Sequence, residues 1–170
     1  RGDWTGAGLS AASMIPVWGD AIGKGGKLGR YAAKYGDEAT EAAKRGLKGA
    51  AELRPYGGPG GGHHVPARKG FEGAPGYDVN KALAIPNDEL KKLGIRHGDI
   101  TQSQRKLYQD LSKTGRELTW DVVQDIETKA LVAAGMPHEM AEATVKQAIE
   151  ALRQAGISKP THIPWGGANQ

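Results

Sequence analysis

Cysteine is absent from the 170 residues of this sequence. Disulfide bonds, thiol nucleophiles and cysteine-bound zinc are therefore excluded, and any bound metal must be held by histidines and carboxylates. Phenylalanine occurs once, and aromatic residues make up 6% of the chain. Because large strand-forming side chains are so few and glycines number 26, a large β-sandwich is not expected.

A long apolar run is missing as well. The best candidate, residues 7–22, is interrupted by Pro16, Gly19 and Asp20 and falls short of the ~20 apolar residues that a spanning helix needs. We therefore predict no membrane insertion. The chain begins at Arg1 and not at a methionine, so we expect it to be a piece of a longer protein.

Positive charge is concentrated in the middle of the chain. Residues 54–110 carry nine basic and six acidic groups, whereas residues 111–170 carry six basic and seven acidic groups. A basic excess of this size is compatible with a phosphate-rich substrate, and it is equally compatible with an ordinary solvated surface.

A stretch of proline and glycine divides the chain. Residues 1–53 are rich in Ala, Gly and Lys and have apolar side chains at helical spacing, which predicts a segment of short helices. Residues 54–62 read Arg-Pro-Tyr-Gly-Gly-Pro-Gly-Gly-Gly and are predicted to be a loop or linker. We therefore predict two domains, residues 1–53 and residues 54–170.

Local signals in the second domain predict one strand and then helices. A short strand is predicted from Tyr77 to Ile85, before Pro86. Thr101, with Gln104 three residues later, is typical of a capping box and predicts a helix that ends near Ser112.

Two more helices are predicted further along the chain. Thr119 is a candidate cap for a helix that Gly135 stops, and another helix is predicted from about His138 to Gly156. The tail, residues 159–170, is predicted to be extended. Apolar residues at helical spacing are predicted to be buried: Val122, Val123, Ile126 and Ala130 in the first of these helices, and Ala141, Val145, Ala148, Ile149 and Leu152 in the second.

An adjacent pair of histidines follows the glycine-rich stretch, in Gly62-His63-His64-Val65-Pro66. On a strand, neighbouring side chains point to opposite faces, so one imidazole can bind a metal while the other meets a different environment. Phosphodiester hydrolysis needs both a bound cation and a general base. A divalent cation offsets charge on the phosphate, and a neutral histidine accepts a proton from the attacking water.

Two further polar residues follow the pair. Asn80 precedes the apolar run 82–85, and His97 lies just before the helix predicted at Thr101. This order of parts resembles the HNH/endonuclease VII (ββα-metal) superfamily, and in particular the toxin modules with a Gly-His-His or Ala-His-His signature in bacterial polymorphic toxins of the Rhs type. The resemblance covers residues 60–112.

The resemblance implies both a fold and a set of roles. The chain would be α+β and mostly α-helical, with a small ββα-metal core of hairpin and helix, additional C-terminal helices and the N-terminal helical segment. His63 and His97 would be metal ligands, His64 the general base, and Asn80 the residue that orients the base or fixes the hairpin. The family's last histidine sits on the helix, whereas His97 lies four residues before the predicted cap, Thr101.

The metal and its surroundings are predicted from side-chain chemistry. A shell completed by water and phosphate suits Mg²⁺ or Mn²⁺, while imidazole-rich sites also accept Zn²⁺ or Ni²⁺. Asp78 is a candidate ligand or a turn residue, and Gln104 is a candidate to contact the metal or one of its ligands. Basic side chains near the proposed site are candidates for phosphate contacts: Arg68, Lys69, Arg96 and Arg105.

These features together suggest a metal-dependent endonuclease. The chain would hydrolyse DNA as the toxic part of a secreted bacterial effector, act in the cytoplasm of a target cell and be neutralised by a cognate immunity protein. Its other partners would be the parent effector or the secretion machinery. RNA is an alternative substrate, because backbone hydrolysis depends on phosphate and shape more than on bases. A non-catalytic helical packaging or interaction domain is the alternative from another class.

Overall fold

A computed structural model describes residues 49–167 of the chain. The helical segment predicted for residues 1–53 lies outside these residues, apart from 49–53, which form no helix. The described part is an α+β fold, which confirms the predicted class. Its elements, in chain order, are β1 (Arg54–Pro55), β2 (Gly62–His64), β3 (Leu83–Pro86), α1 (Asn87–Lys92), α2 (His97–Ser112), α3 (Trp120–Ala133) and α4 (His138–Gln154).

The strands form one antiparallel sheet in the order β1–β3–β2. His63 lies opposite Ile85 and His64 opposite Ala84, so the histidine pair belongs to a paired strand, as predicted. Gly62 begins this strand, and a Cβ atom there would collide with the carbonyl oxygen of Ile85. Because β3 approaches so closely, only glycine fits at this position.

The connection between β2 and β3 is packed against the helices. Phe71 is 1% exposed, and its ring stacks on Trp120 of α3 with the ring centroids 5.5 Å apart. The tail also contacts this connection, since the backbone N–H of Thr161 donates to the Gly70 carbonyl at 2.8 Å. The one phenylalanine of the sequence thus fixes a long connection in place.

The C-terminal helices confirm the periodicity read from the sequence. Helix α2 packs against α3, and α3 packs against α4. The Thr119 hydroxyl accepts a hydrogen bond from Val122 N–H at 3.4 Å, so the predicted cap is present. All the residues predicted to be buried on α3 and α4 are buried except Val122, which is half-buried. Among the described helices, none is long and apolar enough to cross a membrane.

The predicted strand from Tyr77 to Ile85 is too long at its start. Only Leu83–Pro86 is a strand, because Asp78 organises a turn before it. The Asp78 carboxylate accepts the Asn80 N–H at 2.9 Å, and the Asp78 carbonyl accepts the N–H groups of residues 81 and 82 at 3.1 and 2.9 Å. The predicted loop 54–62 is also corrected, since Arg54–Pro55 forms edge strand β1.

The predicted capping box at Thr101 is wrong. Helix α2 begins at His97, one turn earlier, and the Thr101 hydroxyl donates to the His97 carbonyl at 3.2 Å from within the helix. Two features favour the earlier start. Ile100 is 0% exposed and belongs to the core. Asp99 lies in the first turn, where a carboxylate is stabilised by the helix dipole.

Candidate active site

The structure brings together the two residues predicted as metal ligands. Strand β2 supplies His63, and the first turn of α2 supplies His97. Their ring centroids are 4.6 Å apart, with the rings edge to face at 71°. The early start of α2 makes this possible, because it puts His97 on the helix, where the resemblance expects the last histidine.

His63 is buried and lacks polar partners. It is 4% exposed, and neither Nδ1 nor Nε2 has a hydrogen-bond partner within the described part of the chain. Burial is the main cause that lowers the pKa of the ring to about 3; His97 and His64 contribute in the same direction, and the Gln104 side chain acts in the opposite direction. His63 is therefore neutral near pH 7, and one of its nitrogens has a free lone pair.

His64 faces a different environment, as the alternation of a strand requires. Its ring stacks on Tyr56 with the centroids 4.0 Å apart and an angle of 30° between the planes. Its Nε2 lies 3.1 Å from the carbonyl oxygen of Val79. Because a carbonyl only accepts, Nε2 carries the proton and Nδ1 keeps the lone pair. Burial lowers the pKa of His64, which favours the neutral ring.

His97 lies within electrostatic reach of both His63 and His64. Electrostatic interaction with His97 lowers the pKa of both His63 and His64. The His97 side chain is exposed, whereas the other two rings are buried. The candidate site is therefore open to solvent at the helix end of the cluster.

Asn80 and Asp78 act on the backbone of the hairpin. The Asn80 carbonyl accepts the Gly57 N–H at 2.9 Å, which ties the glycine-rich loop to the turn before β3. The carbonyl group near His64 belongs to Val79, the residue before the predicted Asn80. Asp78 is exposed and serves the turn described above, which was the alternative to metal binding.

Two imidazoles are the candidate ligands that this part of the chain provides. Among residues 49–167 there is no group of three or more histidines and carboxylates that could hold a metal ion. Gln104, the other polar candidate near the rings, is 1% exposed and hydrogen-bonded through its amide nitrogen.

The predicted phosphate-contacting side chains differ in their surroundings. Arg68 is exposed, and its charge lowers the pKa of His64, so it lies within electrostatic reach of that ring. The Lys69 ammonium lies 5.8 Å from the centroid of Trp165. Arg96 forms two hydrogen bonds with Asp99, at 2.9 and 2.8 Å. Arg105 is exposed on α2.

Glu127 is a buried polar residue that the sequence analysis missed. It is 0% exposed and lies on α3. Its Oε1 accepts the Ala67 N–H at 2.9 Å and the Tyr108 hydroxyl at 2.6 Å. Its Oε2 accepts the Gln104 amide at 2.7 Å. A signal existed, because position 127 follows Val123 by four residues and so falls on the apolar face of the helix.

Tyr56 is the second residue that was missed. It lies in the proline- and glycine-rich stretch, where no periodicity indicates which side chains face the core. Its position against His64 depends on the pairing of the neighbouring edge strand β1 with β3.

A separate open cavity of about 530 Å³ lies outside the cluster of His63, His64 and His97. Its lining includes Arg116, Lys159 and His162, and none of the three clustered histidines contributes to it. The cavity is therefore not part of the candidate site.

Neither protein-family models, nor curated proteins, nor solved structures match this chain. Its function is therefore inferred from the chemistry of His63, His64 and His97 and from the fold that brings them together.

Proposed function

We propose that the chain is a metal-dependent nuclease of the ββα-metal kind, in which His63 and His97 hold a divalent cation and His64 is the general base. The observation that carries the proposal is the approach of the His63 and His97 rings to 4.6 Å. Both nitrogens of His63 are buried without a partner in the described region. Leaving buried polar atoms unsatisfied is costly, and a bound cation removes part of that cost.

The donor set fits a cation that keeps several other ligands. Two neutral imidazoles leave the remaining coordination positions to water and to phosphate oxygens. Such a shell suits Mg²⁺ or Mn²⁺, and the nitrogen donors also suit Zn²⁺ or Ni²⁺. When bound, the cation would supply charge compensation at the scissile phosphate and the leaving oxygen.

His64 has the properties of a general base. Its Nε2 is engaged with the Val79 carbonyl, which leaves Nδ1 to accept a proton from water. Burial lowers its pKa, so the ring is unprotonated near neutral pH. Stacking on Tyr56 restricts the orientation of the ring. Arg68, within electrostatic reach of His64, is the basic side chain best placed to meet a phosphate.

The order of elements also supports the proposal. The antiparallel pair β2–β3 is followed along the chain by the short helix α1 and then by α2, with one ligand on the strand pair and one on α2. The family resemblance implies this arrangement. It extends the proposal to DNA as the substrate, to the cytoplasm of a target bacterium as the place of action after secretion, and to a cognate immunity protein and a parent effector as partners.

The direct test is a cleavage assay with the full chain after chelator treatment. Plasmid DNA and an RNA transcript are offered side by side with Mg²⁺, Mn²⁺, Zn²⁺ or Ni²⁺. We expect metal-dependent cleavage, and we expect His64→Ala to lower its rate by about 10²- to 10⁴-fold, the contribution typical of a general base. The exposed histidine of α4 provides a matched control, and His138→Ala should cleave at the wild-type rate.

Three outcomes distinguish the alternatives. Cleavage of RNA alone would keep the site and change the substrate. Full activity in a folded His64→Ala variant would exclude His64 as the base. A lack of cleavage with every metal, together with a melting temperature that falls on chelation, would indicate a structural metal in a non-catalytic domain.

A further inference from the structure

The open cavity outside the histidine cluster is formed by three segments that are far apart in the chain. Its lining comes from residues 74–75 of the β2–β3 connection, from the α2–α3 loop at 115–118 and from residues between 156 and 163, after α4. Its volume of about 530 Å³ lies within the range of roughly 300–1,000 Å³ that is typical of small-molecule sites. A ligand of nucleotide size fits in such a volume.

The walls of this cavity are held together by long-range hydrogen bonds. The backbone N–H of Thr161 donates to the Gly70 carbonyl at 2.8 Å, and the indole N–H of Trp120 donates to the Ser158 carbonyl at 2.9 Å. Ile157, within the third segment, is 3% exposed and belongs to the core. The cavity is therefore formed by the folded chain itself, so a ligand does not have to order its walls.

The cavity carries positive charge that the protein does not neutralise. The side chains of Arg116 and Lys159 line it and are exposed. Within residues 49–167 neither of these side chains forms an ion pair or a hydrogen bond. Glu117 supplies a carboxylate to the same lining, so one of the two positive charges is left in excess. A guanidinium and an ammonium group that open into one cavity favour an anionic ligand.

His162 adds a third polar group whose proton has a defined position. The Thr161 hydroxyl oxygen lies 2.9 and 3.2 Å from the carbonyl oxygens of Glu72 and Gly70. The same oxygen lies 2.9 Å from Nδ1 of His162. Because carbonyls only accept, the single hydroxyl hydrogen goes to a carbonyl, and Nδ1–H of His162 donates to the hydroxyl oxygen. Nε2 is then the ring nitrogen left for a ligand, and it becomes a donor when the ring is protonated.

We propose that this cavity is a phosphate-binding site that takes a phosphate ester of nucleotide size, either a free nucleotide or a nucleotide within a nucleic acid strand. Arg116 and Lys159 compensate the charge of the phosphate, and His162 contacts a further phosphate oxygen. The apolar surfaces of Pro75 and Pro160, which also line the cavity, pack against the rest of the ligand. The site needs no metal and shares no residue with the candidate active site, so it goes beyond the proposed nuclease function.

The test is calorimetric titration of the full chain after chelator treatment and removal of the chelator, in a buffer without phosphate. The probes are adenosine monophosphate, adenosine, and a single-stranded hexathymidylate without a terminal phosphate. We expect a phosphate-bearing probe to bind and adenosine to bind more weakly than its monophosphate. Tighter binding of the monophosphate assigns the site to free nucleotides, whereas tighter binding of hexathymidylate assigns it to a strand. No metal is present, so the result does not depend on cleavage.

Exposed residues of the lining provide variants that keep the fold. With the tighter-binding probe, Arg116→Gln and Lys159→Gln should each weaken binding about 3- to 10-fold, because each removes one charged contact to phosphate. Glu117→Gln removes a repelling carboxylate and should strengthen binding about 2- to 5-fold. Lys146→Gln is the matched control. It removes one exposed positive charge from α4 outside the lining and should bind within about 2-fold of the wild type.

Nitrogen NMR of the ¹⁵N-histidine-labelled chain locates the bound probe. The ring signals of His162, assigned with His162→Gln, should move as the probe saturates the chain. Shifts confined to the histidines of the candidate active site would place the phosphate there and overturn the inference. It would also fail if no phosphate-bearing probe binds, if adenosine binds as tightly as its monophosphate, or if Arg116→Gln and Lys159→Gln both bind like the wild type.

Discussion

Acidification should destabilise the metal-free chain through His63, and the size of the effect follows from the burial of the ring. Burial lowers the pKa of His63 from 6.5 to about 3 in the folded chain, whereas the unfolded chain exposes the ring to water. The unfolded state therefore binds a proton at pH 5 that the folded state does not. Stability from this group is fully present above pH 6.5 and is lost as the pH falls from 6.5 towards 3.

Because the unfolded state takes up this proton between pH 7.5 and pH 5, the free energy of unfolding falls by about 2 kcal/mol over that range. Glu127 works in the opposite direction, because burial raises its pKa and its contribution is lost as the pH rises above the unfolded value. The wild-type chain alone would show the sum of such effects. The informative quantity is the difference between wild type and His63→Leu, an apolar variant of similar volume.

The assay is urea unfolding at both pH values with EDTA present, so that no cation occupies the ring. We expect the stability of wild type relative to His63→Leu to fall by about 2 kcal/mol on going to pH 5. His138→Gln, which changes an exposed histidine, should show the same change in free energy of unfolding between the two pH values as the wild type. Equal pH slopes for wild type and His63→Leu would show that His63 is not desolvated in the folded chain and would refute the reasoning.

Three further predictions follow from single contacts. Tyr56→Ala should lower the cleavage rate because the ring of His64 loses its stacking partner, whereas Tyr56→Phe should keep both the stack and the wild-type rate. Equal steady-state rates for Tyr56→Ala and the wild type would show that the stack does not support cleavage. Gly62→Ala should destabilise the chain by about 1–3 kcal/mol because its Cβ meets the backbone of β3. Gly98→Ala is the control and should not destabilise the chain in this way, because a Cβ atom at Gly98 meets nothing within 4 Å. If Gly62→Ala and Gly98→Ala unfold at the same urea concentration, the clash at Gly62 is excluded. Thr119→Ala should cost about 1 kcal/mol by removing the α3 cap, with Thr119→Ser close to wild type in the same titration.

The helices that could be predicted are those whose signals are local. Thr119 caps α3 with its own hydroxyl, and the apolar residues of α4 follow helical spacing from Ala141 to Leu152. Both signals involve residues within a few positions of each other, so they do not depend on the rest of the fold. The spacing also indicated correctly which face of each helix is buried.

The elements that were wrongly bounded depend on distant contacts. Residues 101–104 have the composition of a helix start, yet burial of Ile100 in the core extends α2 back to His97. The apolar run before Pro86 was expected to continue a longer strand. Strand pairing with β2 and β1 reaches only from Leu83 to Pro86, and the Asp78 turn occupies the residues before it.

The sequence by itself determined the chemistry available to the site. It placed two imidazoles on consecutive strand positions after a glycine that the sheet requires, and it excluded cysteine as a ligand. Tertiary structure decided which groups meet. Packing of α2 brought His97 to His63, edge strand β1 brought Tyr56 to His64, and packing of α3 against α2 brought Glu127 to Gln104. These contacts join residues far apart in the chain, and packing and desolvation act on such pairs only once the chain has folded.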